Sequence, residues 1–103
     1  MLHIVRFTDK PNTQDARNAY MDAHLKWIEE NRSFVLLAGS LRDAPGVAPV
    51  GGLWVVDAES KDDVMEKIKT DPFWTNGIRE SVEVFFWGMA SEDMKNLPSL
   101  MLT

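Results

Sequence analysis

The order of apolar and polar residues at the start of the chain predicts a strand followed by a long helix. Residues 2–7 are rich in β-branched and apolar side chains, and residues 9–12 break this strand. Thr13 is a suitable N-cap for a helix that ends near Asn31. Apolar residues recur along this helix at intervals of three or four positions, which predicts one buried stripe: Ala16, Tyr20, Ala23, Trp27 and Ile28.

The next two apolar runs predict neighbouring strands. Residues 33–41 form the first run, and residues 53–57 form the second. Between them, residues 42–52 carry two prolines and three glycines, which is typical of an exposed loop. We expect this loop to join antiparallel strands and to lie at the rim of a pocket.

A second helix and a fourth strand complete the pattern. Residues 60–63 resemble a capping box with aspartate in place of the usual Glu or Gln, and they start the helix. Pro72 prevents this helix from continuing beyond Thr70. Residues 81–87 predict the last strand. The buried side of the second helix is expected to hold three apolar residues: Val64, Met65 and Ile68.

Two β-α-β units in succession predict a ferredoxin-like α+β domain over residues 1–103, with a four-stranded antiparallel sheet and both helices on one face. Residues 35–37, 53–56 and 84–87 are apolar at consecutive positions, so both faces of the sheet require burial. Because helices cover only one face, we expect a homodimer in which a second copy covers the other. Residues 89–103 are expected to form a C-terminal tail that packs at this dimer interface.

Composition narrows the classes of partner and cofactor. The net charge of −5 disfavours binding to a nucleic-acid phosphate backbone, and no apolar run approaches the length of a membrane span. The chain has no cysteine, so disulfides and thiolate metal sites are excluded and a cytoplasmic location is the default expectation. Two histidines without metal-ligand spacing, and no glycine-rich phosphate loop, lead us to expect neither a metal nor a cofactor.

Arg17, His24 and Asp71 are the first candidates for chemistry. Seven residues are close to two helical turns, so Arg17 and His24 lie on the same edge of the first helix, with Cα atoms about 10 Å apart. From spacing alone, a solvated surface arginine and a satisfied, partly buried histidine are the favoured interpretation of these two residues. Asp71 precedes Pro72 and is a strong N-cap candidate. Its carboxylate could also fix the tautomer of a nearby imidazole and strengthen it as a base.

Ser40 and His3 are weaker candidates. Ser40 follows Gly39 near the end of a strand, where it could offer a hydroxyl to a ligand or simply occupy a turn. His3 alternates with apolar residues on the first strand and is more typical of an ordinary sheet histidine than of a pocket residue. A hydrolase triad of Ser40, His24 and Asp71 is disfavoured because no nucleophile elbow accompanies it.

These short motifs, in this order and spacing, resemble the YciI-related (YCII) family, a branch of the dimeric α+β barrels. The resemblance covers most of the chain and rests on Arg17, His24-Leu25, Ala38-Gly39-Ser40, Asp71-Pro72-Phe73 and Gly77. It implies a pocket in each subunit in which His24 and Asp71 form a catalytic pair, with Arg17 and Ser40 as substrate-binding neighbours. One branch of the family is similar to dehydrochlorinases that act on hydroxylated aromatic or quinol-like compounds.

The leading hypothesis is therefore a cofactor-independent acid-base enzyme of the lyase or isomerase type. His24 moves a proton on a small oxygenated cyclic substrate, Asp71 orients His24, Arg17 holds an oxyanion or carboxylate, and Ser40 donates a hydrogen bond. Aromatic residues such as Trp27, Phe73 and Trp74 either form an apolar wall or pack in the core. The alternative is a non-catalytic protein that binds a small molecule in the same pocket, and a haem-binding or oxygenase relative is the least supported reading.

Overall fold

A computed structural model describes residues 1–95, and the rest of the predicted tail lies outside the described residues. These residues form four strands, three helices and a short 3₁₀ turn. In chain order the elements are β1 (Leu2–Asp9), α1 (Gln14–Glu30), β2 (Val35–Leu41), β3 (Gly51–Asp57), α2 (Lys61–Ile68), α3 (Pro72–Thr75), β4 (Arg79–Phe86) and the 3₁₀ turn (Glu92–Lys95). Within residues 1–95, no helix is both long enough and apolar enough to cross a membrane.

The four strands form one sheet in the order β2-β3-β1-β4, and every neighbouring pair is antiparallel. This is the predicted ferredoxin-like α+β arrangement. On β1, alternate side chains from His3 to Phe7 are buried on the face that carries the helices. Residues of α1 and α2 join the β1, β2 and β3 side chains in a single core: Val5, Phe7, Trp27, Phe34, Val35, Trp54, Val56, Val64 and Ile68.

The predicted caps of α2 and α3 are both present. The Ser60 hydroxyl accepts a hydrogen bond from the Asp63 backbone N–H, as a capping box requires. Asp71 caps α3 in the same way, with Pro72 at the first helical position. These local interactions explain why the chain between β3 and β4 forms two helices that meet at residue 71.

The predicted apolar stripe of α1 is wrong in part. Trp27 is buried, but Tyr20 and Ala23 are exposed, and the other buried residues of the helix are Arg17 and His24. The reason is that this stretch of α1 faces charged partners, since Arg17 contacts Asp9 and His24 contacts Asp71. A polar side chain can be buried when a partner on another element satisfies it. The pattern of apolar residues along one helix does not show such a residue.

The boundaries of several strands also differ from the predicted ones. β1 extends to Asp9, β2 begins at Val35, and β4 covers Arg79–Phe86, each a shift of one or two residues. β3 begins at Gly51, because two glycines assigned to the loop are in fact paired with both neighbouring strands. A Cβ atom at Gly51 would overlap with the carbonyl oxygen of Phe7, so this position requires glycine.

Substitution of Gly51 by alanine is therefore expected to destabilise the fold by about 1–3 kcal/mol, since the β1 backbone must move to admit the new methyl group. Gly39→Ala is the matched control, because a Cβ at Gly39 meets no atom within 4 Å. Urea unfolding of the two variants measures the difference. Equal free energies of unfolding would show that the β1–β3 contact is not as close as described.

The face of the sheet opposite the helices is largely apolar. Leu53 on β3 and Phe85 on β4 point away from the helices, with exposed fractions of 37% and 48%. Arg6 and Glu83 form an ion pair among them at 2.5 Å. Apolar side chains thus occupy both faces of the sheet, as the consecutive apolar runs predicted.

Candidate functional site

His24 and Asp71, which are 47 positions apart in the sequence, meet beneath α1. His24 Nδ1 lies 2.7 Å from Asp71 Oδ1, and the two residues are 6% and 0% exposed. The same Asp71 oxygen accepts the cap hydrogen bond from Phe73 N–H at 3.2 Å. A carboxylate can only accept, so Nδ1 of His24 donates and Nε2 is left as the basic nitrogen of the neutral ring. The structure thus gives Asp71 both predicted contacts, the helix cap and His24.

Aromatic rings fix the plane of the His24 imidazole. Phe73 stacks on it with ring centroids 3.8 Å apart and an interplanar angle of 3°. Trp54 lies 6.4 Å from the imidazole and also stacks against Trp27, whose Nε1–H donates to Thr70. The imidazole is consequently restrained by packing as well as by its hydrogen bond to Asp71, which is the condition for a well-oriented base.

A second charged group lies beside this pair. The two carboxylate oxygens of Asp9 contact two guanidinium groups, Oδ2 with Arg17 Nη1 and Oδ1 with Arg79 Nη1, the latter at 2.8 Å. All three side chains are almost fully buried. The Arg79 guanidinium also lies 4.2 Å from the ring centroid of Phe7 and 5.2 Å from that of Phe73.

Sequence reasoning missed Asp9 and Arg79, and strand register is the signal that could have found them. Asp9 was assigned to a turn, and Arg79 to the segment before the last strand. With the observed boundaries the two residues are direct partners across β1 and β4, next to an irregularity of the ladder at Thr8 and Asp9. Opposite charges at paired positions then predict their contact.

Burial lowers the pKa of the Arg17 guanidinium, and the Asp9 carboxylate opposes this shift. Arg79 and Arg42 lower the Arg17 pKa further, because like charges disfavour the cation. Arginine nevertheless stays protonated at neutral pH. The site therefore holds clustered cations in a partly desolvated environment.

These groups surround a cavity of about 190 Å³ between α1 and the sheet. Its walls combine polar groups with apolar and aromatic side chains: Arg17, Met21, His24, Leu25, Ile28, Ala38, Gly39, Ser40, Arg42, Trp54, Phe73 and Arg79. Three predicted site residues, Arg17, His24 and Ser40, line the cavity, and Asp71 lies directly behind His24. Phe73 is part of the wall, whereas Trp27 and Trp74 belong to the core or pack against it.

Arg42, the first residue of the loop after β2, lines the cavity, as expected for a pocket rim. Arg42 Nε donates to the Ser40 hydroxyl at 2.9 Å, and Arg42 Nη1 donates to the Val47 carbonyl at 2.6 Å. Within residues 1–95, Ser40 makes no hydrogen bond to His24. The hydrogen bond between nucleophile and base that a hydrolase triad requires is therefore not formed.

His3 lies away from the cavity. It is buried on β1, where Nδ1 is 3.2 Å from the Met1 carbonyl oxygen and the ring meets Phe86 edge-on. The structure therefore places His3 in the sheet and outside the cavity wall. In the part of the chain that the structure describes, no group of three or more His, Asp or Glu side chains is placed to hold a metal ion.

The model of the YCII-related domain matches residues 1–88. The chain belongs to the YCII-related family. Among solved structures it is similar to the 5-chloro-2-hydroxyhydroquinone dehydrochlorinase from Burkholderia phenoliruptrix AC1100 in complex with 2,5-dihydroxybenzoquinone, with a TM-score of 0.78, 24% identity and coverage of 87% of this chain and 96% of that chain. Comparison with curated proteins gives no significant match.

A second structural neighbour of this YCII-related chain has a different description. It is a candidate antibiotic biosynthesis monooxygenase from Bacteroides thetaiotaomicron, with a TM-score of 0.54, 14% identity and coverage of 88% of this chain and 90% of that chain. At these identities the two neighbours share the ferredoxin-like fold with the YCII-related chain, and a common fold does not fix a common reaction.

Proposed function

We propose that the chain is a cofactor-independent acid-base catalyst that acts on a small, oxygenated, ring-shaped substrate by elimination or isomerisation. The observation that carries this proposal is the buried hydrogen bond between His24 Nδ1 and Asp71, since it leaves Nε2 of a cavity-lining imidazole as a base. His24 is the catalytic residue in this proposal, and Asp71 orients and polarises it. The name of the dehydrochlorinase neighbour supports the elimination reaction.

A chlorinated hydroquinone is a substrate that such a site can process without an added oxidant. One hydroxyl proton passes to His24, which delivers it to the chlorine-bearing carbon, and chloride leaves with the electrons of the C–Cl bond as a second hydroxyl proton is lost to solvent. The net loss is one H⁺ and one Cl⁻. The ring is oxidised to a quinone while the C–Cl bond is replaced by C–H, so electrons balance within the substrate.

Arg17 and Ser40 are the proposed substrate-binding residues. The Arg17 guanidinium is a permanent cation at the cavity wall, suited to the oxyanion that forms when a hydroxyl loses its proton. Ser40 already accepts a hydrogen bond from Arg42, so its hydroxyl hydrogen is free to be donated to a substrate oxygen. Met21 and Ile28, which are partly exposed in the cavity wall, supply apolar surface for the ring.

The proposal is tested by the initial rate of chloride release from 5-chloro-2-hydroxyhydroquinone and related chlorinated quinols, measured without oxygen against a protein-free blank. We expect the purified chain to accelerate release from at least one member of this panel. Saturable ligand binding without chloride release or isomerisation would contradict catalysis. It would favour the alternative of a small-molecule binding protein, especially if binding survives His24→Ala.

We also propose that the chain forms a homodimer through the sheet face opposite the helices. The exposed Leu53 and Phe85 side chains on that face support this proposal, because burying apolar surface drives association. The central Arg6–Glu83 ion pair would then lie within the interface and favour one orientation of the two copies.

Leu53→Glu is expected to shift the protein from dimer to monomer, because a carboxylate on this face has to be desolvated on association. Tyr20→Glu on α1 is the matched control, since Tyr20 is 38% exposed and Leu53 37%. Size-exclusion chromatography with light scattering measures the mass of each variant. A monomeric wild type at micromolar concentration, or a dimeric Leu53→Glu variant, would rule out this interface.

A further inference from the structure

The charges around the cavity are strongly unbalanced. Three guanidinium groups, from Arg17, Arg42 and Arg79, line it, and within residues 1–95 no carboxylate does. Asp9 and Asp71 lie behind the wall, each already in contact with a cationic or imidazole partner. With His24 neutral, three positive charges face two negative ones, so the site carries an excess positive charge in a chain whose net charge is −5.

We propose that the cavity selects its ligand as a planar oxyanion, a phenolate or enolate, and that Arg79 together with Arg17 recognises the charged oxygen. This inference rests on the proposed function, because it concerns the same site and the same substrate. It states the ionised form in which the site binds that substrate. It adds Arg79 to the substrate-binding residues.

The geometry of Asp9 presents the two guanidinium groups together. Asp9 uses one carboxylate oxygen for Nη1 of Arg17 and the other for Nη1 of Arg79. Within the described residues, Nε of each arginine is buried and has no hydrogen-bond partner, although both side chains line the cavity. Two guanidinium groups held by one carboxylate are preorganised donors. Less side-chain conformational entropy is therefore lost when a ligand binds to them.

The rest of the wall favours a flat organic anion over a hydrated inorganic one. Met21, Leu25 and Ile28 contribute apolar surface, and Phe73 and Trp54 lie in the same wall but are only 0% and 1% exposed. The oxygens of inorganic phosphate that face these apolar side chains would lose their hydration without gaining a hydrogen bond. An aromatic or quinoid ring instead gains from burial while its oxyanion reaches the arginines.

Electrostatics also favours the anion over the neutral phenol. The Arg17 cation is disfavoured by burial and by the neighbouring Arg79 and Arg42, and the charge of a bound anion offsets these effects. By linkage, the same interactions hold a bound phenol in its ionised form, so the pKa of the phenol falls when it binds. A substrate that arrives as a phenolate has already lost one hydroxyl proton to solvent, and the proton that His24 moves comes from a second hydroxyl group.

The test uses para-nitrophenol, which ionises near neutral pH and is yellow only as the phenolate. We expect its pKa to fall by about 1 unit or more when it is bound to the wild type, as measured by absorbance over a pH series with saturating protein. Arg79→Met is expected to remove at least half of this shift, and Arg42→Met a smaller part, because Arg42 lies at the exposed rim. Nitrobenzene, a neutral ligand of similar shape, reports whether each variant retains the cavity.

Arg6→Met is the matched control, since Arg6 lies on the opposite face of the sheet and should leave the shift unchanged. A bound probe that titrates at its free pKa, or a wild type that binds the phenolate no more tightly than nitrobenzene, would overturn the proposal. So would a full shift in Arg79→Met. Because only binding is measured, these outcomes are separate from a failure of the enzyme to release chloride.

Discussion

Replacement of His24 by glutamine is expected to reduce turnover of a chlorinated quinol by about 10²- to 10⁴-fold, the usual contribution of a positioned general base. Glutamine can still hydrogen-bond to Asp71, but it cannot accept a proton at the position of Nε2. The loss should therefore fall on kcat, with KM changing little. Initial rates of chloride release at several substrate concentrations separate the two constants.

Two further variants show whether this effect belongs to the pair. Asp71→Asn keeps an oxygen to cap α3 but removes the charge that stabilises a protonated His24, so kcat should fall at least about tenfold. His3→Gln replaces the other histidine, which is buried outside the cavity, and should retain wild-type kcat. Full activity in both His24→Gln and Asp71→Asn would eliminate the proposed mechanism.

Asp9→Asn is expected to cost about 3–5 kcal/mol of unfolding free energy, the largest effect on stability among the substitutions considered. Asp9 is the carboxylate partner of both Arg17 and Arg79, and all three side chains are at most 7% exposed. Asparagine is nearly isosteric but neutral, so two buried guanidinium groups lose their counter-charge. Urea denaturation, with the slope of the transition checked against wild type, measures the change.

Glu30→Gln provides the control for this experiment. Glu30 is paired with Lys26 on α1, and both side chains are exposed, so removal of that charge should cost less than about 1 kcal/mol. Asp9→Asn should also cost less in an Arg79→Met background, where only one cation is left uncompensated. A loss equal to that of Glu30→Gln would mean that water reaches the three side chains and that the buried cluster is not as described.

Much of the fold follows from local signals in the sequence. The residue types at Ser60, Asp63 and Asp71-Pro72 predict where α2 and α3 begin, and the structure places both caps there. Gly51 shows the limit of such reasoning. Glycine is typical of loops, and only the close approach of Phe7 across the sheet explains why this one lies within a strand.

Less of the candidate site could be predicted from the sequence, and the reason is physical. His24 and Asp71 are separated by 47 positions, and no periodicity relates a helix residue to the cap of a distant helix. Their pairing was expected only from the resemblance to the YCII family. Asp9 and Arg79 were missed because their contact depends on the register of β1 and β4, which is set by the whole sheet.

The central claim, that His24 moves a proton on the ring of the substrate, is tested most directly by hydrogen exchange on a substrate that cannot lose chloride. In deuterated buffer without oxygen, the ring protons of hydroxyhydroquinone exchange with solvent through its keto tautomer, and proton NMR follows their loss. The account predicts that the wild type accelerates this exchange and that His24→Gln returns it to the protein-free rate. Equal exchange rates with wild type, with His24→Gln and without protein would contradict it.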